Sequence, residues 1–107
     1  MNIDSKELND ALVVTLEGEV DLEHSPQARK ALLDAVAKNN KVVVDLSGVS
    51  YIDSSGIASL VESFQTARKN GGGFTLAAVS DSALRVLQLA RLDKVFTIAA
   101  TVEEAAG

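Results

Sequence analysis

Three short apolar runs, each followed by a stretch with helical spacing, leave this chain few folds to choose from. The first, from Ala11 to Gly18, is rich in β-branched residues and ends at glycine, so it reads as a strand. A shorter strand is expected before it, around Ile3 to Leu8, with Asn9-Asp10 as the turn. The second run, Lys41 to Leu46, is almost continuously apolar, as in a strand covered on both faces. Phe74 to Val79 is the third, and Val95 to Ile98 has the look of a short edge strand.

The intervening segments change period. Ser25 is a suitable N-cap and Pro26 suits a first helical position. Ala28, Leu32, Leu33, Val36 and Ala37 then mark one helical face, which Asn39-Asn40 closes. Ser47-Gly48-Val49-Ser50 is expected to be a connection. A second helix is expected after Gly56, with Ile57, Leu60, Val61, Phe64 and Ala67 inward and Glu62, Ser63, Gln65, Thr66 and Arg68 outward. Ser80-Asp81-Ser82 offers caps for a third, carrying Leu84, Val86, Leu87 and Leu89. Thr101 and Glu104 have capping-box spacing for a short last helix. Strands alternating with helices in this way predict an α/β fold: a mixed four- to five-stranded sheet with helices packed mainly on one side.

Composition narrows the function. The 107 residues form one expected domain, spanning 1–107, with a core built from Val, Leu, Ile and Ala because only four residues are aromatic. A net charge of −5, with the ten basic residues scattered, argues against nucleic acid as a partner. The absence of cysteine removes disulfides, thiolate metal sites and a thiol nucleophile, and His24 alone is too little for a zinc site. Neither a metal nor another cofactor is expected. Met1-Asn2-Ile3-Asp4 has no secretory pattern, and no apolar stretch approaches the roughly 20 residues of a membrane span. A cytoplasmic location without membrane insertion is therefore expected. Gly71-Gly72-Gly73 follows a helix and opens a strand, the reverse of a phosphate loop.

The segment that carries chemistry is Asp53-Ser54-Ser55-Gly56, between a strand and an amphipathic helix. Capping alone accounts for one of these residues, since a side-chain oxygen satisfies an otherwise unpaired N–H. Three capping-competent residues in a row exceed that need. A serine at a helix entrance suits phosphorylation, because the helix N-terminus tolerates the roughly −1.5 to −2 charges of a phosphoserine while a docked partner meets a new dianion. A serine hydrolase would need a Gly-x-Ser-x-Gly elbow and a base other than His24. A nucleotide-binding module would need a Walker-type lysine, and Asp21 and Asp53 would repel the phosphates.

With these residues placed, the chain resembles the STAS family, and within it the bacterial anti-sigma factor antagonists. Gly18-Glu19-Val20-Asp21 matches the family's Gly-Glu-(apolar)-Asp. The stretch from Val44 to Ile57 matches its (apolar)-Asp-Ser-(Ser/Thr)-Gly-Leu signature, and Asn70 to Leu76 its Gly-Gly turn into a strand. The likeness runs from about residue 5 to residue 105. It implies a non-enzymatic partner switch. The unmodified protein binds a GHKL-type Ser/Thr kinase that doubles as the anti-sigma factor. The kinase phosphorylates Ser54, with Ser55 the lesser candidate, and a PPM-type phosphatase reverses the step. Asp21 and Asp53 match acidic residues flanking the acceptor. Ser54, Ser55, Gly56, Ile57, Ala58 and Glu62 are the expected partner contacts. Other STAS roles consistent with the resemblance are regulation of biofilm, secretion or stressosome pathways, or service as a subunit of a lipid-transport ATPase. Two positions depart from the family pattern. Ala58 stands where many members have Gly, which implies a stiffer first helical turn. Arg91 precedes Leu92 where Gly is frequent, which implies a changed partner surface or a different turn.

Overall fold

The computed structural model describes residues 1–107. Its elements are β1 (Asn2–Leu8), β2 (Ala11–Val20), α1 (Ser25–Lys38), β3 (Lys41–Ile52), α2 (Ser54–Lys69), β4 (Gly73–Ala77), α3 (Asp81–Leu89), β5 (Thr97–Ala99) and α4 (Val102–Ala106). The five strands lie in sequence order, β1 antiparallel to β2 and the others parallel. Asn9 and Asp10 make the tight turn between β1 and β2 with φ of 51° and 68°, the left-handed region that Asn and Asp tolerate. The mixed α/β sheet is the expected one.

Strands that follow one another in space and in sequence, joined by right-handed crossovers, place their helices on one face. The main core lies there. Val14, Leu16, Val42, Val44, Leu46 and Leu76 point from the sheet toward α1, α2 and α3, which contribute residues such as Leu32, Leu60 and Leu87. The opposite face of β2, β3 and β4 presents Ala11, Val13, Val43 and Ala77. It is covered by α4, through Val102, Ala105 and Ala106, with Leu8 of β1 beside them, and Lys41 Nζ donates to the Ala106 carbonyl at 3.0 Å. This explains the unbroken apolar run in β3: its alternate residues belong to two cores. No helix is long and apolar enough to cross a membrane.

Several local expectations are corrected. β3 does not stop at Leu46. Ser47 to Ser50 continue the strand, paired with a bulged part of β2 through Glu17–Gly48 and Gly18–Val49. Gly18, at φ 95°, supplies the bulge, which an L side chain would strain. Ser25 is not the cap of α1 but its first, buried residue. His24 holds the cap position, its side chain making no cap bond to the helix amides. Ala37 and Leu89 are exposed, whereas Ala35 and Ala83 are buried in their helices. β4 ends at Ala77, and β5 is Thr97–Ala99, with Phe96 turned into the core beside Phe64 and Phe74.

Candidate functional site

β2 and β3 run parallel and their last paired residues are Val20 and Ile52. Asp21 and Asp53 follow directly, so both acidic residues emerge at the carboxyl edge of the sheet, where such folds collect function. Asp53 is the N-cap of α2, in extended conformation. Its Oδ1 accepts the backbone N–H of Ser55 at 2.9 Å and of Gly56 at 3.2 Å. Its Oδ2 accepts the N–H of Leu22 at 3.1 Å, and its own N–H donates to Val20 O at 3.3 Å. One aspartate thus closes α2 and fastens the β2–α1 loop to it.

α2 therefore begins at Ser54, three residues before the first apolar residue of its period, Ile57. Ser54 occupies the first helical position and is exposed. Because Asp53 makes the cap bonds, the Ser54 hydroxyl is not spent on them. Ser55, next along, is half-buried, and its carbonyl accepts Ser59 Oγ at 3.2 Å.

Gly56 and Ile57, expected on the partner face, are buried and form its floor. A Cβ at Gly56 would stand 2.6 Å from Val20 O and 2.7 Å from Ile52 Cγ1, so only glycine lets α2 start this close to the strand ends. Ala58 is exposed. Glu62 is half-exposed, but it is not free: Arg29 of α1 binds it twice, Nε to Oε1 at 2.9 Å and Nη2 to Oε2 at 2.6 Å. The two hydrogen bonds hold the Glu62 carboxyl below its ordinary range and raise Arg29. Ser63, expected on the solvated side of α2, is fully buried and donates to Ser59 O at 2.8 Å. Ser59, Ser63 and Ala67 are all buried, and Ser59 Oγ lies 3.4 Å from the Ser25 carbonyl of α1, a use of small residues that a hydropathy pattern does not register.

Asp21 organises the other loop. Its Oδ1 accepts the His24 backbone N–H at 3.0 Å and lies 2.8 Å from His24 Nδ1, while its carbonyl accepts Ser25 N–H at 2.7 Å. The backbone N–H of His24, more than its imidazole, holds the Asp21 carboxyl below its ordinary value. Glu23 joins them, the ligating atoms of Asp21, Glu23 and His24 lying within 4.8 Å of one another. Between the two aspartates stands Leu22, 74% exposed, which sequence reading passed over. Its one signal was an apolar residue beyond a strand end with no helical or strand partner.

The carboxyl edge of the α/β sheet thus presents an exposed serine at a capped helix entrance, next to Asp53 and on the same edge as Asp21. The chain belongs to the STAS-domain family, whose family model matches residues 2–105. It is 28% identical to the anti-sigma-B factor antagonist of Bacillus subtilis over 96% of this chain and 94% of that protein. The crystal structure of an anti-sigma factor antagonist from Mycobacterium paratuberculosis superposes with a TM-score of 0.88 at 28% identity, covering 97% of this chain and 89% of that one. The unphosphorylated anti-sigma factor antagonist SpoIIAA, at 22% identity and a TM-score of 0.80, covers 97% and 92% and shares the fold.

Proposed function

We propose that this protein is a partner-switching regulator of the anti-sigma factor antagonist type. With Ser54 unmodified it binds a GHKL-type Ser/Thr kinase that serves as anti-sigma factor; phosphorylation of Ser54 releases it. The observation that carries this reading is the division of labour at the start of α2. Asp53 provides the cap, so Ser54 is exposed at the first helical position with its hydroxyl available. The antagonist names of relatives matching along almost the whole chain support the same role.

In the transfer, Ser54 Oγ bonds to the γ-phosphorus of ATP, the bond from that phosphorus to the ADP oxygen breaks, and the hydroxyl proton passes to a base of the kinase. The ATP belongs to the kinase. The product adds roughly −1.5 to −2 charges beside Asp53 and three acceptor oxygens, at a helix end whose dipole favours negative charge by about 0.3–1 kcal/mol. The fold is thereby retained while the docking surface becomes more strongly negative. Placing an unpaired charge in a desolvated interface costs roughly 2–5 kcal/mol, enough to release a partner. Ser54, Ser55 and Ala58, with Leu22 beside them, form the contacting face; Gly56 and Ile57 support it from below. A PPM-type phosphatase restores the binding form.

Intact-mass analysis of the wild type and Ser54→Ala, each incubated with magnesium-ATP and a purified GHKL-type kinase that binds the wild type, tests the reading. One added phosphate on the wild type alone is expected. A kinase that bound Ser54→Asp as tightly as the wild type would refute it.

A further inference from the structure

We infer that the Asp53 carboxylate is a two-ended latch, and that phosphorylation of Ser54 opens the end that holds Leu22. This rests on the reading of Ser54 as the acceptor and adds how the modification reaches a second part of the surface. The two carboxylate oxygens have separate tasks. Oδ1 serves the α2 amides of Ser55 and Gly56, and Oδ2 serves the amide of Leu22, 31 residues away in the chain. The segment from Asp21 to Ser25 is otherwise held by bonds from His24 and Ser25 to Asp21, and at its far end by Ser59 Oγ on the Ser25 carbonyl at 3.4 Å. Leu22 N–H to Asp53 Oδ2 is the tie that fixes Leu22 relative to the helix entrance.

A phosphoryl group on Ser54 competes for that tie from the far end. It is attached one residue from Asp53, at the same amides, with greater charge and more acceptor oxygens. It draws the Ser55 and Gly56 donors and repels the neighbouring carboxylate. An Asp53 side chain that swings away releases Oδ2 as well, because both oxygens are on one rigid group. Leu22, 74% exposed and flanked by Asp21 and Glu23, then loses its fixed position. The apolar contact beside the acceptor is withdrawn together with the change of charge, a local electrostatic event read out on a neighbouring loop.

Amide hydrogen exchange measured by NMR tests this without any partner, on the full chain carrying phosphoserine installed at position 54 during synthesis. The Leu22 amide should exchange at least tenfold faster than in the unmodified protein, with the Val43 amide in the sheet unchanged. Asp53→Asn is the companion variant. Its side-chain oxygen still caps α2, as asparagine does well, but its NH2 cannot accept from Leu22. It should speed Leu22 by a similar factor while Ser55 and Gly56 keep their protection. Exchange at Leu22 within twofold of the unmodified protein in the phosphoserine form overturns the latch, as does an unchanged Leu22 in Asp53→Asn. If phosphorylation abolished kinase binding with Leu22 unmoved, partner switching would stand on direct repulsion and only the latch would fall. A kinase that still bound the phosphoserine protein would instead remove the functional reading.

Discussion

Arg29 and Glu62 face each other across α1 and α2 in a bidentate pair, the two N–H to oxygen bonds measuring 2.9 and 2.6 Å. Both side chains are about half exposed, at 53% and 44%, so water and salt screen the pair. A double-mutant cycle of Arg29→Ala and Glu62→Ala should show a favourable coupling at low ionic strength. It should vanish near 1 M salt, where the Debye length is about 3 Å. Coupling that persisted there would mean that the pair is far better desolvated than its exposure indicates.

The Asp21 carboxyl is depressed below its ordinary value of 3.8, chiefly by the His24 backbone N–H. A carboxyl with a lower pKa folded than unfolded stabilises the fold fully above its unfolded pKa and loses that contribution as the pH falls through the folded one. Stability in urea should therefore decline below about pH 4, with a shallower acid limb in Asp21→Asn. Identical acid limbs for the two proteins would show that Asp21 gains nothing from its partners on folding.

Gly56 and Ala58 are two residues apart on α2 and should respond in opposite ways to exchange of glycine and alanine. Gly56→Ala brings a methyl to 2.6 Å from Val20 O. Despite the better helix propensity of alanine, overpacking should cost about 1–3 kcal/mol, read as a drop in Tm. Ala58 is exposed, so Ala58→Gly meets no steric limit and loses only propensity, about 1 kcal/mol. A Gly56→Ala protein as stable as the wild type would contradict the close approach of α2 to the strand ends.

Arg91 occupies a backbone conformation made for glycine. At φ 59° it follows α3 and its cap Ala90, with Arg91 N–H on Gln88 O at 3.0 Å and Leu92 N–H on Leu87 O at 2.8 Å. This is the left-handed termination that glycine commonly makes, so the departure at Arg91 brings no different turn. Arg91→Gly should raise stability by about 1 kcal/mol in equilibrium denaturation. A destabilised Arg91→Gly would show that the arginine side chain contributes more than its backbone costs.

Much of the site was legible because its signals are local. Asp-Ser-Ser-Gly before a helical period marks a helix entrance whatever lies around it, since the first amides of a helix always need acceptors. Which residue caps was not legible: three side chains are competent, and Asp53 takes the role because its second oxygen also finds Leu22. At α1 the same reasoning misled. Ser25 is a good cap in isolation, but Asp21 supplies the acceptor for His24 from upstream, and Ser25 is drawn into the interface, its carbonyl 3.4 Å from Ser59 Oγ. Ser63 was misplaced because polarity was taken for exposure, whereas a close helix pair selects for size.

The alternation of strands and helices, the strands buried on both faces and the serine at a helix entrance are written in local residue patterns. These follow from period, propensity and capping within a few residues. Three features lay beyond any local pattern: that β3 runs on to Ile52, that Glu62 is tied to Arg29, and that the Leu22 amide shares the Asp53 carboxylate with the amides of Ser55 and Gly56. Each depends on bringing together segments about thirty residues apart. That proximity is set by strand pairing and crossover packing, which no local pattern encodes.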